Sequence, residues 1–381
     1  GVLIEGEYIR RIGPYATLLA EAKSLGASFW EPGTKTVALP GFVDAHTHSC
    51  FGGSRAADYA LRNSGKTYLE IAEAGGGIWD TVTQTRNASG AWLTESLVAR
   101  CRGFAQKGIT TLEVKSGYGL STPEELKMLR AIREAGTHVA QDLVATCLAA
   151  HTMPRDFGGD KAQYLQMLAT ELLPEVRKQD LARRVDAFVE QSAFSPEEIL
   201  PYLNQAAALG FELTVHADQF STGGSGVAIA CGALSADHLE ASGAAEIRAL
   251  GQSETIAMAL PGASLGLGCG FTPARRLLDA GACLAIASDF NPGSAPMGDL
   301  LTQAAILGAF EKLTHAEVLA GITFRAAAAL GLDDRGRLEP QKLADLVLFP
   351  TGDYNEILYR QGQLLPVSVW KRGRPLTSET P

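Results

Sequence analysis

Eight short apolar segments of strand length, with helix-length stretches between successive segments, run through most of this chain. They cover residues 42–48, 110–116, 143–151, 184–190, 212–218, 235–239, 256–261 and 283–289. Strands that alternate with helices form parallel sheets, and eight such units are the number that closes a (β/α)8 barrel. We therefore predict an α/β protein built on a TIM-like barrel.

The two chain ends carry short β-like segments of a different kind. VLIEGEYIR (2–10) has the pattern of a hairpin, and DLVLF (345–349) and PVSVW (366–370) have the pattern of short strands. We predict a small β-sandwich domain formed from both termini, residues 1–40 and 335–381, with the catalytic barrel domain at 41–334 between them. The sequence does not open with Met, so we expect a trimmed start.

Composition argues against several classes of protein. The net charge is −9 and no basic run is present, which argues against a nucleic-acid partner. No apolar stretch approaches the ~20 residues needed to cross a bilayer, and no signal-peptide pattern opens the chain. The six cysteines include no CxxC pair, which suits reduced thiols. We expect a cytoplasmic protein that contacts no membrane.

Histidines at predicted strand ends indicate a metal site. His46 and His48 are spaced i and i+2 at the end of the first strand, and alternate side chains of a strand share one face. His216 and Asp289 end the fifth and eighth strands, and the carboxyl ends of barrel strands surround one cavity. Three imidazoles and a carboxylate suit Zn²⁺ or iron with a position left for water, whose pKa a metal can lower from ~15.7 to about 7.

Several longer motifs resemble the amidohydrolase superfamily and, within it, the imidazolonepropionases of histidine degradation. PGFVDAHTH (40–48) is similar to the superfamily's first barrel strand, and ADLVL (344–348) to its closing β-strand. The stretches that resemble the imidazolonepropionases are FGGSR (51–55), GGGIWDTV (75–82), EVKSGYGL (113–120), AHTMP (150–154), HADQ (216–219), SADHL (235–239) and SDFNPGS (288–294).

This resemblance implies an activity and a set of site residues. The family opens the cyclic amide of 4-imidazolone-5-propanoate with water to give N-formimidoyl-L-glutamate, the third step of histidine degradation. The implied metal, one Zn²⁺ or Fe³⁺ per chain, would be bound by His46, His48, His216 and Asp289. The implied substrate residues are Arg55, Tyr118, His151, Gln219, Asn291, Gly293 and Ser294. A homodimer is consistent with the family.

Chemistry supports this division of roles. The propionate of the substrate requires a guanidinium, hydroxyls and backbone N–H groups, which Arg55, Tyr118 and the segment at Gly293 offer. Asp289 is expected to accept the proton of the attacking water and pass it to the leaving ring nitrogen. His238 is expected to donate to, or polarise, the carbonyl oxygen. Gln219 is expected only to bind, because an amide does not shuttle protons.

Three alternatives stay open at this point. Another amidohydrolase, a deaminase or cyclic amidase acting on a small heterocycle, would share the metal ligands without needing Arg55. A barrel without metal that serves as a scaffold would be expected to lose ligands, and none is missing. Glu190, which ends the fourth predicted strand, offers a ligand for a second metal, although we favour one metal.

Other noticeable residues receive structural interpretations. Glu113 and Lys115 lie on the second predicted strand and are expected to form an ion pair. Three glycines at 75–77 suggest a loop over the barrel mouth, since no P-loop lysine follows them. His138 and His315 are expected at the surface.

Overall fold

The computed structural model describes residues 1–66, 70–71 and 74–376 of this chain. It begins with an antiparallel hairpin of β1 (Val2–Glu5) and β2 (Tyr8–Ile12), followed by a helix at Tyr15–Ser24 and by β3 (Val37–Pro40). The barrel comes next, and strands from the C-terminal end complete the fold. The chain order therefore matches the predicted insertion of a barrel between two β-rich ends.

The barrel sheet has eight strands that are hydrogen-bonded in chain order. They are β4 (Phe42–Asp44), β5 (Ile109–Lys115), β6 (Asp142–Ala150), β7 (Arg184–Val189), β8 (Glu212–Ala217), β9 (Ser235–His238), β10 (Ile256–Ala259) and β11 (Leu284–Ile286). Every neighbouring pair in this order is parallel. The predicted (β/α)8 architecture is confirmed, and each predicted strand is present.

The first strand is shorter than predicted. The sequence indicated a strand through His48, but β4 ends at Asp44. Beyond Asp44 the chain bonds to the segment that follows β11: Thr47 forms a parallel bridge with Phe290, and the Asp289 N–H donates to the His46 carbonyl oxygen at 3.0 Å. These contacts join the first and last strand segments, so the barrel closes at the position of the predicted metal ligands.

Helices connect the barrel strands. Two begin at capping boxes: Ser195 Oγ accepts from the Glu198 N–H at 3.3 Å, and Thr314 Oγ1 accepts from the Glu317 N–H at 3.2 Å. No helix in the described part of the chain is long and apolar enough to cross a membrane. After β4, the described part of the chain includes helices at Ala56–Asn63, Ile78–Asn87, Gly90–Gln106, Thr122–Gly136, Lys161–Met167, a π-helical turn at Leu168–Leu172, Leu173–Lys178, Pro196–Ala208, Gly224–Ala230, Ala244–Gly251, Pro261–Leu267, Ala274–Asp279, Leu300–Glu311, His315–Gly321, Phe324–Ala329 and Asn355–Tyr359.

Both chain ends contribute to small β-sheets outside the barrel. β3 pairs with β12 (Leu346–Phe349), which pairs with β13 (Ser368–Lys371) and then β14 (Arg374–Pro375) in one antiparallel sheet. β2 adds to this region, because the Ile9 N–H donates to the Lys342 carbonyl oxygen at 2.8 Å. Strands from both termini are thus present as predicted, while the domain boundaries at residues 40 and 334 remain a prediction.

A charged cluster joins the barrel to the terminal sheet. Asp142, the first residue of β6, lies 2.8 Å from Lys371 Nζ and 3.2 Å from Arg372 Nη2, and it also pairs with Arg335. Burial raises the pKa of Asp142, but the charges of these three residues outweigh burial and lower the pKa below its ordinary value. The ionised carboxylate therefore binds three cations from the C-terminal part of the chain.

Candidate active site

The donor atoms of three histidines and one aspartate face each other at the carboxyl end of the barrel. One ring nitrogen each from His46, His48 and His216 lies within 4.8 Å of the others. His216 Nε2 is 3.2 Å from His48 Nε2. Asp289 Oδ1 is 3.5 Å from His46 Nε2 and 3.3 Å from His48 Nε2. The structure brings all four predicted ligands together.

The chemistry of this group fits a metal ion. His46 Nε2 is buried and has no hydrogen-bond partner among the residues that the structure describes. Burial lowers the pKa of His46, and it lowers the pKa of His216 to about 4, so both rings are neutral at pH 7, the form that binds metals. Burial raises the pKa of Asp289, but His48 and the other surrounding histidines outweigh burial and lower it overall. Neutral imidazoles beside an ionised carboxylate suit zinc or iron.

Two aspartates that the sequence analysis did not select hold the histidine rings from behind. Asp237 Oδ2 lies 2.6 Å from His46 Nδ1, and Asp186 Oδ2 lies 2.8 Å from His216 Nδ1. A carboxylate on Nδ1 keeps the ring proton there and leaves Nε2 free to bind a cation. Asp186 lies between apolar residues, Val185 before it and Ala187 after it, in the strand β7. A carboxylate in such a position indicates a buried polar partner.

The predicted ion pair between Glu113 and Lys115 is present and reaches the metal ligands. Lys115 Nζ lies 2.8 Å from Glu113 Oε1 and 2.8 Å from Asp186 Oδ2, and all three side chains are buried. Burial raises the pKa of Asp186, but His216 and Lys115 outweigh burial and lower it. Asp186 therefore stays ionised beside His216 Nδ1 and favours the ring proton on that nitrogen.

A cavity of about 590 Å³ opens beside the ligand cluster. The predicted catalytic residues His238 and Asp289 lie in its wall, whereas His46 is fully buried. Arg62 and Asp58, which the sequence analysis did not select, also line this cavity. All seven predicted substrate residues are in the wall too: Arg55, Tyr118, His151, Gln219, Asn291, Gly293 and Ser294.

A guanidinium and a turn lie together on one side of this cavity. Arg55 Nε donates to Asp58 Oδ2 at 2.8 Å, which fixes the guanidinium. A Cβ on Gly293 would lie 2.5 Å from Arg55 Nη1, so glycine permits this close approach. From the sequence we expect backbone N–H groups near Gly293 to face the substrate. Instead, the N–H groups of Gly293 and Ser294 donate to Asn291 Oδ1 at 2.8 and 2.7 Å, because the Asn291 side chain folds back over its own turn.

The loop that carries Tyr118 is held by a buried carboxylate. Glu125 accepts hydrogen bonds from the N–H groups of Gly117, Gly119 and Leu120 at 3.0, 2.8 and 2.7 Å. Burial raises the pKa of Tyr118, so its hydroxyl keeps its proton and can donate it in a hydrogen bond. Glu125 therefore holds the loop around Tyr118 through its backbone, and the phenol lies in the cavity wall.

Glu190, considered above as a ligand for a second metal, is engaged elsewhere. Its Oε2 accepts from the N–H groups of Phe220 and Ser221 at 2.9 and 3.1 Å. Its Oε1 accepts from the Gln191 N–H at 2.9 Å and from the Ser221 hydroxyl. The carboxylate thus holds the loop that follows Gln219.

Comparisons with known proteins agree with this geometry. Residues 37–376 match the model of the amidohydrolase family. An imidazolonepropionase of Acinetobacter baumannii is 40% identical over 382 residues, which cover 98% of this chain and 93% of that protein. An imidazolonepropionase of Myxococcus xanthus is 43% identical over 352 residues, covering 90% of this chain and 83% of that protein. The crystal structure of 5-methylcytosine deaminase from Klebsiella pneumoniae has a TM-score of 0.76 at 15% identity, covering 99% and 94% of the two chains, and so shares the fold.

Proposed function

This chain belongs to the amidohydrolase family and, within it, to the imidazolonepropionases, and on that premise we propose that it opens the ring of 4-imidazolone-5-propanoate with water to give N-formimidoyl-L-glutamate. It is a metal-dependent hydrolase of histidine degradation. One observation carries the proposal: the seven substrate residues implied by the family resemblance line one cavity that borders the histidine cluster. The sequence similarity to imidazolonepropionases, rather than the fold, selects this substrate over that of a deaminase.

We propose one Zn²⁺ or Fe³⁺ per chain, held by Nε2 of His46, His48 and His216 and by Oδ1 of Asp289. When bound, such an ion activates water as a nucleophile at neutral pH and polarises a carbonyl oxygen. The assignment is supported by the 3.2 Å between His216 Nε2 and His48 Nε2. It is also supported by Asp289 Oδ1, which lies 3.5 Å from His46 Nε2 and 3.3 Å from His48 Nε2. Ring nitrogens and a carboxylate do not by themselves select zinc over iron.

Asp289 and His238 are proposed to handle the protons. The Asp289 carboxylate accepts a proton from the attacking water and passes it to the ring nitrogen that leaves. Asn291 Nδ2 donates to Asp289 Oδ2 at 3.0 Å, which orients this carboxylate. Burial lowers the pKa of His238, but Glu240, with Asp289 and Asp237, outweighs burial and raises it. A raised pKa favours the protonated ring, which is the form that would stabilise the carbonyl oxygen.

Arg55 is proposed to bind the propionate of the substrate. Asp58 fixes its Nε, so its terminal nitrogens are the ones that remain for a carboxylate. The Tyr118 hydroxyl is a second donor on the cavity wall. Gln219 is proposed to hydrogen-bond the ring without moving protons. The remaining proposed contacts to the substrate are His151, Asn291, Gly293 and Ser294.

We also propose a cytoplasmic enzyme that contacts neither nucleic acid nor membrane and that forms a homodimer. The net charge of −9 supports the absence of a nucleic-acid partner. The proposed division is a barrel domain at 41–334 and a β domain at 1–40 and 335–381, supported by the sheet that β3 shares with the C-terminal strands.

The test follows loss of the ring by ultraviolet absorbance in the parent chain, in Asp289→Asn and in a matched control, Asp353→Asn. Asp353 is exposed in the C-terminal region, away from the cavity. We expect Asp289→Asn to lose at least ~100-fold in kcat, since general acid–base catalysis contributes that much or more. Asp353→Asn should keep the parental kcat. A parental kcat in Asp289→Asn would exclude the proposed proton route through Asp289. The proposed ring opening would be excluded if the metal-loaded parent left the imidazolone intact but deaminated an aminopyrimidine.

A further inference from the structure

Glu240 is a buried carboxylate to which the proposed reaction gives no role of its own. Its side chain is 5% exposed. Its Oε1 accepts from Ser264 Oγ at 3.3 Å and lies 3.4 Å from His238 Nδ1. Its Oε2 is buried with no hydrogen-bond partner in the described ranges, and within those ranges it pairs with no lysine or arginine. A buried carboxylate with so few partners is costly to the fold, so stability does not explain this residue.

The backbone between these two residues adopts an unusual conformation that brings them together. His238 has φ +87° and Leu239 has φ +70°, so two consecutive non-glycine residues lie in the left-handed region. The Thr272 hydroxyl donates to the His238 carbonyl oxygen at 2.5 Å, and the Leu239 N–H donates to the Ala217 carbonyl oxygen at 3.0 Å. Strained backbone of this kind persists where surrounding contacts enforce it, and it concentrates at active sites.

We propose that Glu240 is a positioning residue for His238. Its carboxylate accepts the Nδ1–H of His238, and this bond fixes the ring so that Nε2 faces the substrate carbonyl oxygen. The inference rests on the proposed function, in which His238 stabilises that oxygen. Ser264 in turn holds Glu240, since its hydroxyl donates to the same carboxylate oxygen that faces the imidazole.

The first test compares kcat, KM and metal content in Glu240→Ala, Glu240→Gln and a control, Glu246→Gln. Glu246 caps the next helix by accepting from the Gly243 N–H at 3.0 Å and does not line the cavity. We expect Glu240→Ala to lower kcat roughly 10- to 100-fold, as loss of an outer partner does for other histidines, with KM and metal content near the parental values. Glu240→Gln should lose less, because its amide oxygen still accepts from Nδ1–H. Unchanged kcat in Glu240→Ala would overturn the proposal.

The second test asks whether Glu240 acts through His238. In a His238→Ala background, Glu240→Ala should cause no additional loss of kcat. The same additional loss in both backgrounds would overturn the positioning role while leaving the proposed function intact. A parental kcat in His238→Ala itself would overturn both the role of His238 and the inference built on it.

A spectroscopic readout does not depend on turnover. ¹⁵N-histidine NMR distinguishes protonated from unprotonated ring nitrogens, and the signal that disappears in His238→Ala identifies this residue. We expect a protonated Nδ1 for His238 in the parent chain and a weaker or absent Nδ1–H signal in Glu240→Ala. The same Nδ1–H signal in both proteins would contradict the proposal, even if the variant were inactive.

Discussion

Replacing Asp237 with asparagine tests how the metal ligands are held. Asp237 Oδ2 lies 2.6 Å from His46 Nδ1, and the two side chains are 1% and 0% exposed, so no water can substitute for this bond. A metal at His46 Nε2 requires the ring proton on Nδ1, which the carboxylate stabilises and which an amide stabilises less. The amide keeps the shape of the side chain, so we expect the barrel to stay folded.

We expect Asp237→Asn to weaken metal affinity about 10- to 100-fold, the range for outer partners of metal-binding histidines. That range corresponds to about 1.4–2.8 kcal/mol. The assay is competition between stripped protein and a chelator of known zinc affinity, with folding followed by circular dichroism. Asp345→Asn is the matched control: its side chain is 2% exposed and pairs with Lys371 Nζ at 2.7 Å, and it contacts no histidine. Parental metal affinity in a folded Asp237→Asn protein would refute the reasoning.

Two other predictions concern substrate binding and stability. Arg55→Ala is expected to raise KM about 10- to 100-fold, since a hydrogen bond to a charged group contributes about 1.5–3 kcal/mol. The KM for a substrate analogue without the propionate should not change. An unchanged KM for the substrate itself would exclude Arg55 from the propionate site. Asp142 has a folded-state pKa below its ordinary value of 3.8, so the stability it contributes is complete above pH 3.8 and is lost as the pH falls through the folded-state pKa. Urea unfolding should therefore show that Asp142→Asn is less stable than the parent by about 1–3 kcal/mol at pH 7. This difference in the free energy of unfolding should shrink below pH 3.8. A difference that grows below pH 3.8 would contradict this assignment.

The strands and the ligand types could be predicted from the sequence because both depend on local pattern. The second barrel strand was predicted at 110–116 and is observed at Ile109–Lys115. Because parallel barrel strands end on one face of the barrel, histidines and an aspartate at strand ends could be expected to lie close together.

Contacts between distant parts of the chain could not be predicted in the same way. The first strand ends at Asp44 because the next residues bond to the segment at Phe290, a partner that local periodicity does not reveal. The hydrogen bond between Asp237 and His46 joins residues that are 191 positions apart, so the sequence around His46 does not predict it. Likewise, the sequence at 291–294 predicted backbone N–H donors for an anion. In the structure, the side-chain oxygen of Asn291 accepts hydrogen bonds from the N–H groups of Gly293 and Ser294.

The most direct test of the proposed reaction is turnover of freshly generated 4-imidazolone-5-propanoate by the parent chain, with metal content determined on the same sample. Stripped protein would be reloaded stepwise with zinc or iron while loss of the ring is followed. The account predicts that the rate rises with bound metal and levels off at about one ion per chain. Turnover by metal-free protein, or full metal loading without loss of the ring, would contradict it.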